Sequence, residues 1–325
     1  MNSNASGVII LLELLRVFSK LYRNMKTSPK YNLIFLLSAG GKLNYQGTRQ
    51  WIDNYFERYD SHSNVGSKVH YALCLDSLAK SSQLFMHVSK VPKNESYLAN
   101  FHQQLVGAAE LFNRSVVIVQ KKINLAEDFL AWEHERFNIR KIYATTLSTS
   151  KTHKDITSRS ILDLNKSEYA DVLSKNINII SEGLFRYLFG MSDLVSERFI
   201  QGEESIVPHV KMWLRYFSTT PRSAQVFVGS QDNSFLNDML AYMETFASEA
   251  ALMPVAADKK DPEFVLFEGV EDVIFAYSIK PALFDLVLAV IVAGYVFSVY
   301  FTVVNISVVQ QRVRRILKLR HEKLR

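Results

Sequence analysis

The stretch from Ala282 to Val304 restricts the possible fold of this chain more than any other segment does. It is 23 residues long and carries one charge, Asp285, near its start. A helix rises about 1.5 Å per residue, so about 20 apolar residues cross a hydrocarbon core of roughly 30 Å. The alternative is a buried helix of a soluble domain, but such helices are shorter and seldom apolar on every face. The sequence therefore predicts one transmembrane helix.

The charges after this stretch predict its orientation. The segment 310–325 contains one acid, Glu322, and the bases Arg312, Arg314, Arg315, Lys318, Arg320, Lys323 and Arg325. Cytoplasmic flanks are rich in Lys and Arg, so we expect a cytosolic C-terminus and a lumenal or external remainder. This tail alone accounts for the net charge of +6. The basic excess therefore indicates topology and contact with anionic lipid headgroups, and we expect no nucleic-acid partner.

Cysteine and sequon usage fit this orientation. The one cysteine, Cys74, lies in the apolar run VHYALCLD and is predicted to be a buried strand residue. A single cysteine excludes a disulfide or a cysteine-based zinc site within the chain. N-glycosylation sequons before the span favour a lumenal domain, and they begin at Asn4, Asn94, Asn113 and Asn165. Asn305 also begins a sequon, but it lies at the far end of the span and should not be glycosylated.

The N-terminal residues do not form a good signal peptide. Their apolar positions follow helical spacing, and Glu13 interrupts them. Either the terminal span acts as a late signal, or the chain is the rear part of a longer protein. We favour the second interpretation.

The pattern of apolar residues predicts an α/β fold with a mixed sheet and flanking helices. Helices are expected at 7–22, 47–59, 95–112 and 168–188, and strands at 31–38, 69–75, 83–88 and 115–121. We predict four regions: a partial α/β domain at 1–190, a helical lumenal segment at 191–278, the transmembrane helix at 279–307 and a basic cytosolic tail at 308–325.

Three groups of residues could carry chemistry. Asp76 follows a buried strand, which is where α/β sheets place their sites. A polar loop holds His153 and Asp155. The third group has ligand types suited to zinc or manganese and comprises Asp128, Glu133, His134 and Glu135. Its consecutive members would point in different directions on a helix, so a solvated helix face is the simpler interpretation. Chemistry would require the groups to converge.

Several segments together resemble one known family. They are LLELLRVFSKLY, YNLIFLLSAGGKLNYQGTRQWI, ALCLDSL, KKINLAEDFLAWEHERF, ADKKDPEFV and KPALFDLVLAV. In this order they are similar to the nicalins, single-pass lumenal relatives of nicastrin. Both resemble zinc-dependent aminopeptidases that use two adjacent metals. The resemblance covers nearly the whole chain and implies that a longer N-terminal part precedes Ser3 in the family.

The resemblance also implies that the metal site is degenerate. The peptidases place a metal-bridging Asp where this chain has Ser3, and a Glu-Glu pair where it has Gly41 and Lys42, or Gly40 and Gly41 with one insertion. None of these supplies a carboxylate.

One family ligand is preserved, because Asp76 matches the ligand at the end of the strand. The last ligand, a His four residues before Asp163, is replaced by Arg159, and His153 is out of register. The family therefore implies a chain without a metal cofactor and without peptidase activity.

The function that the resemblance implies is that of a non-catalytic subunit of an endoplasmic-reticulum membrane complex. Its partners would be the nodal modulator protein, a small multi-spanning membrane protein and the ribosome-associated translocon, in the biogenesis of multi-pass membrane proteins. The family is also linked to Nodal signalling. Two alternatives stay open: an active two-zinc aminopeptidase, and a lumenal receptor that binds a ligand in the old cleft.

Overall fold

The computed structural model describes residues 2–3, 5–23, 28–61, 69–81, 83–94, 96–155, 163–191, 198–199, 203–219, 234–254, 273–276, 278–279 and 281–322. The chain divides into two compact units, residues 1–268 and residues 269–325. Each unit is described by itself below.

The first unit alternates helices and strands before it becomes helical. Its elements are α1 (Ser6–Tyr22), α2 (Gln46–Ser61), β1 (Ala72–Leu75), β2 (Leu84–Val88), α3 (Tyr97–Glu110), β3 (Val116–Gln120), α4 (His134–Ile139), β4 (Ala144–Ser148), α5 (Tyr169–Phe189), α6 (Glu203–Thr219) and α7 (Ser234–Phe246). The predicted α/β class with flanking helices is confirmed. Strand β4 was not among the strands expected from the sequence.

The strands form a mixed four-stranded sheet in the order β1-β4-β2-β3. Strand β4 pairs in parallel with β1, with Cys74 opposite Thr146, and antiparallel with β2. Strands β2 and β3 are parallel. All residues of β4 are buried, and its two threonines are β-branched residues that suit a pleated strand. In the sheet as described, β4 and β2 are therefore the inner strands, and β1 and β3 are the outer strands.

Side chains alternate across β1 and divide the apolar residues into two clusters. Leu73 and Leu75 pack against the larger cluster, which is built from α1, α3, α5, α6 and α7. Cys74 points the other way, into a smaller cluster with Ile52 and Phe137. The prediction that Cys74 is a buried strand residue is confirmed, because it is 6% exposed.

The predicted strand at 31–38 is wrong, because the segment adopts no regular secondary structure. Its side chains nevertheless alternate as in a strand. Leu33, Phe35 and Leu37 pack against the larger cluster, whereas Leu36 packs against the smaller one. The alternating apolar pattern thus indicates which of the two clusters each residue packs against. A strand needs in addition a hydrogen-bonded neighbour, and the sheet as described does not include this segment.

Helices α6 and α7 belong to the same core as the sheet. Val210 and Trp213 of α6 and Met239 of α7 are buried in the larger cluster. Their contacts are with α1 and α5, the long helices of the first part of the chain. The four region boundaries proposed from the sequence stay a prediction.

The second unit contains helices α8 (Ala282–Val304) and α9 (Ile306–Glu322). Helix α8 has no buried residue and a mean hydropathy of 2.4, so its apolar surface faces outward on every side. The apolar stretch from Ala282 to Val304 is therefore a single helix, and the wider transmembrane region at 279–307 stays a prediction. Asn305 separates the two helices, and both its backbone N–H and its side-chain amide donate to the Phe301 carbonyl at 3.0 Å.

The contact of α1 with β1 requires a glycine, which gives a test of the fold. A Cβ on Gly7 would lie 2.2 Å from the Leu75 carbonyl oxygen. We expect Gly7→Ala to cost about 1–3 kcal/mol, because the helix must move off the strand. Thermal unfolding of the purified chain, followed by tryptophan fluorescence, should show a Tm lower by several degrees.

The matched control is Gly107→Ala in helix α3. There a Cβ makes an ordinary contact with the Arg186 side chain at 3.5 Å. Alanine is a better helix former than glycine by up to about 1 kcal/mol, so the Tm should hold or rise. Equal Tm changes in the two variants would contradict the described packing of α1 on β1.

Candidate functional site

Asp76 is the first residue after the C-terminal end of strand β1. Its backbone N–H donates to the Leu147 carbonyl at 3.0 Å, which extends the pairing of β1 with β4 by one residue. Ser77 then adopts a left-handed φ of 54° and donates its hydroxyl to Asp76 Oδ1 at 2.9 Å. Thr149 holds this turn from β4, since its N–H and hydroxyl both donate to the Ser77 carbonyl. The carboxylate of Asp76 is thus positioned by backbone geometry.

The N-terminal turn is bound to this strand end. Asn2 Oδ1 accepts the Ala79 N–H, and Ser6 Oγ accepts the Leu78 N–H, both at 2.8 Å. On the other side, Asp163 accepts the backbone N–H groups of Asn2 and Ser3 at 2.9 Å. Burial by itself raises the pKa of Asp163, but the hydrogen bonds from Ser3 and Asn2 are among the interactions that lower it, and the pKa lies below its usual value. Ser3 is therefore fixed beside an ionised carboxylate.

Lys42 reaches the same place from the loop before α2. The loop is tightly folded, with left-handed φ angles at Asn44 and Tyr45. Lys42 Nζ donates to Ser3 Oγ at 3.4 Å. Burial raises the pKa of Asp76, whereas the hydrogen bond from Ser77 and the ammonium of Lys42 lower it. The structure thus brings together Ser3, Lys42 and Asp76, three residues that the sequence analysis singled out.

Glu133 completes the charged group from the start of α4. Its Oε1 accepts hydrogen bonds from Ser38 Oγ and Thr48 Oγ1. Burial raises the pKa of Glu133, the two hydroxyls lower it, and repulsion from Asp76 raises it again. Two carboxylates therefore share this edge of the sheet.

The expectation that Glu133, His134 and Glu135 form a solvated helix face is wrong. His134 and Glu135 are each 1% exposed. His134 Nδ1 lies 2.9 Å from Thr146 Oγ1 under the sheet, and burial lowers its pKa to about 3, so it is neutral there. Burial raises the pKa of Glu135. The helix has only six residues and packs against β4 and β1, so consecutive positions on it can all be enclosed.

The other candidates do not join this group. Asp128 is exposed, and it is its backbone carbonyl that accepts a hydrogen bond, from Asn44. Asp155 forms an ion pair with Lys80 at 2.7 Å. His153 packs its ring edge-on against Trp132 at 6.3 Å. Gly41 is exposed, and nothing lies within 4 Å of a Cβ placed there. Asn4 and Arg159 lie outside the described residues.

The residues present do not fit a two-zinc centre. Such centres use carboxylate and imidazole ligands. Here Asp76 accepts from the Ser77 hydroxyl and interacts with the Lys42 ammonium, and an ammonium repels a divalent cation. Among the residues that the structure describes, no group of three or more His, Cys, Asp or Glu side chains is arranged to hold a metal ion.

Sequence reasoning missed several members of the site. Ser38 and Thr48 were placed only as the end of a strand and the start of a helix, and Tyr45 was not considered. Burial, Asp76 and Glu133 raise the pKa of the Tyr45 phenol well above its usual value, so it is a neutral neighbour of both carboxylates. No local motif marks these residues, because they meet only through the tertiary fold.

Comparison with known proteins gives the family context of this site. Residues 1–168 match the profile described as Peptidase family M28. The human protein named BOS complex subunit NCLN is 38% identical over 325 residues, covering 97% of this chain and 57% of the human protein. The zebrafish (Danio rerio) protein of the same name is 36% identical, and the Caenorhabditis elegans protein named Nicalin is 32% identical.

These relatives are longer than this chain. It spans 58% of the zebrafish protein, and the alignment to the worm protein covers 92% of this chain and 56% of that protein. Among solved structures, the aminopeptidase from Aneurinibacillus sp. strain AM-1 superposes with a TM-score of 0.39 and 18% identity, covering 61% of this chain and 42% of the aminopeptidase.

The buried carboxylate of Glu133 predicts a pH dependence of stability. Its pKa is raised in the folded chain, so the unfolded chain loses this proton at lower pH than the folded chain does. Ionisation then favours unfolding as the pH rises from about 4.5 towards neutrality. In Glu133→Gln the amide oxygen can still accept from Ser38 and Thr48. We expect this variant to lose less stability than the parent chain as the pH rises over that window.

Urea unfolding at a series of pH values measures this difference. Glu110→Gln removes the same charge at an exposed position and serves as the matched control. If Glu133→Gln keeps the full pH dependence of the parent chain, burial does not raise the pKa of Glu133 and the prediction is contradicted.

Proposed function

This chain belongs to peptidase family M28, and from that premise we propose that it is a non-catalytic subunit of an endoplasmic-reticulum membrane complex. The observation that supports the proposal is the position of Lys42, whose ammonium lies against Ser3 and lowers the pKa of Asp76. A positive side chain here opposes the binding of divalent metals. The human and zebrafish relatives are named as complex subunits, which supports the same role.

The loss of peptidase chemistry is part of the proposal. We assign Ser3 to the position of the metal-bridging aspartate, and Gly41 and Lys42 to the position of the Glu-Glu pair. A serine hydroxyl is neutral and cannot replace a carboxylate that bridges two cations. Neither Gly41 nor Lys42 can act as the general base that activates water. Asp76 is then the remaining ligand of the ancestral set, with no metal to bind.

A scaffold role uses the fold and the span together. The proposed arrangement places the M28-like unit in the lumen, α8 in the membrane and the basic tail in the cytosol. The proposed partners are the nodal modulator protein, a small multi-spanning protein and the translocon, and a link to Nodal signalling is part of the same proposal. These partners are argued from family resemblance.

One face of the span is suited to a partner helix. A shallow groove runs along α8 and is lined by Asp285, Leu288, Ala289, Val292, Ala293, Val296, Phe297 and Tyr300. Small residues within it allow a second helix to approach closely. Gly294 and Ser298 lie on the other side of α8, where Ser298 donates to the Gly294 carbonyl at 2.8 Å. The polar group of Asp285 at one end of the groove could bind a polar group of the partner.

Co-purification from cells tests the scaffold role. Affinity capture of the tagged chain in mild detergent, followed by mass spectrometry, should recover the membrane partners in near-stoichiometric amounts. Ala293→Leu fills the groove and should reduce recovery several-fold. Ile291→Leu adds no volume and changes the opposite face of α8, so it should not.

Two results would overturn the proposal. The first is capture of the folded chain without any membrane partner. The second is stoichiometric zinc in the purified chain, together with aminopeptidase activity that a chelator abolishes. The second result would identify the chain as an active member of the peptidase family.

Glycosylation tests the proposed topology. Asn94, Asn113 and Asn165 are exposed on the first unit, so each is accessible to modification if that unit is lumenal. We expect endoglycosidase treatment to reduce the mass of the chain expressed in cells. Replacement of Asn94, Asn113 and Asn165 by Gln should abolish most of the change, whereas Asn305→Gln should have no effect. A mass change that persists in the triple variant and disappears in Asn305→Gln would reverse the topology.

A further inference from the structure

Helix α9 begins where the span ends, which fixes its position relative to a bilayer. Only Asn305 separates Val304, the last residue of α8, from Ile306, the first residue of α9. The φ and ψ angles of Asn305 are −102° and 26°, outside helical values, so the two helices meet at a non-helical residue. A 23-residue helix already spans the hydrocarbon core, so α9 starts at the level of the headgroups.

The first three turns of α9 have an apolar stripe. Successive helical residues are rotated by 100°, which places Ile306, Val309, Val313, Ile316 and Leu317 within one face about 100° wide. Within the unit described, this face is open, and Val313, Ile316 and Leu317 are 48%, 63% and 58% exposed. A helix that continued the span straight into water would expose this apolar stripe to solvent.

The arginines are arranged around this stripe in a particular way. The same rotation places Arg312 on one side of the stripe and Arg314 on the other, each about 90–110° from its centre, while Arg315 points away from it. Arginines that border an apolar face can extend their side chains to lipid phosphates while the face is buried. The pattern therefore matches a helix lying in the interface, with positive charge where an anionic headgroup would be.

We propose that α9 is an interfacial helix that docks its Ile306–Leu317 stripe onto the anionic surface of the membrane crossed by α8. Charge complementarity selects the occupant, because segment 306–317 carries three arginines and no acid. The docked helix would fix the rotation and depth of α8 and bring the tail close to the bilayer. The inference uses the span, but not the proposed complex or its orientation, so it can fail independently of them.

The experiment places an environment-sensitive label on either side of α9. Val313→Cys lies in the stripe, and Gln311→Cys lies on the opposite face two residues away. Cys74 is buried, and the chain without an added cysteine serves as the labelling blank. The full chain is labelled with a nitrobenzoxadiazole dye and reconstituted into phosphatidylcholine vesicles with or without about a third of phosphatidylserine.

In anionic vesicles the dye at position 313 should shift to the blue and resist an aqueous quencher several-fold better than the dye at position 311. The difference should decrease in neutral vesicles and in high salt. Equal quenching of the two positions in anionic vesicles overturns the proposal. Protection that appears at both positions only after addition of a structured RNA also overturns it, because the tail would then bind nucleic acid.

A pair of charge variants tests the geometry within the same assay. Arg314→Gln and Arg315→Gln each remove one charge, but only Arg314 borders the stripe. The former should increase quenching at position 313 by roughly fivefold, on the basis of about 1 kcal/mol per basic residue near the surface. The latter should have a smaller effect. Equal effects would show that net charge alone acts and would overturn the docked arrangement.

Discussion

The turn after β1 is the point on which the rest of the first unit depends. Three separate segments satisfy its backbone groups: Asn2 and Ser6 from the N-terminal turn, Thr149 from the end of β4, and Asn176 from α5, whose amide donates to the Leu78 carbonyl at 2.8 Å. An unpaired backbone group in this buried place would cost about 1–3 kcal/mol. These side chains therefore hold α1, α5 and the sheet in one arrangement, and Ser3 and Asp76 come together as a consequence.

The site around the same turn contains three carboxylates, and groups of the chain itself compensate each of them. Asp76, Glu133 and Asp163 are carboxylates that affect one another or a shared neighbour, and burial disfavours the charge on each. In a metallopeptidase, two divalent cations would offset such charges. Here backbone N–H groups compensate Asp163, two hydroxyls compensate Glu133, and one hydroxyl together with the Lys42 ammonium compensates Asp76. In each case the compensating group belongs to the chain itself.

The local sequence pattern predicted the helices and strands better than it predicted which segments pair or pack with one another. The limits of α8, the helix α5 and the strand containing Cys74 follow from spacing within one segment, and the structure agrees. The segment 31–38 has the alternation of a strand but is not one, since pairing depends on a second segment. The enclosure of His134 and the convergence of Ser38, Thr48 and Glu133 are equally non-local. Lys42 and Ser3 were connected in advance only through family resemblance.

The two units use positive charge in opposite ways. In the first unit, Lys42 is an exposed residue whose ammonium donates to Ser3 and lowers the pKa of Asp76, so its charge acts on groups of the same unit. In the second unit, Arg312, Arg314 and Arg315 have no acidic residue near them in sequence before Glu322, so their charge is available to an external surface. The M28-like fold thus contributes a shaped surface, and the charged residues after the span face outward. This difference agrees with the proposed role of the chain as a subunit that binds partners.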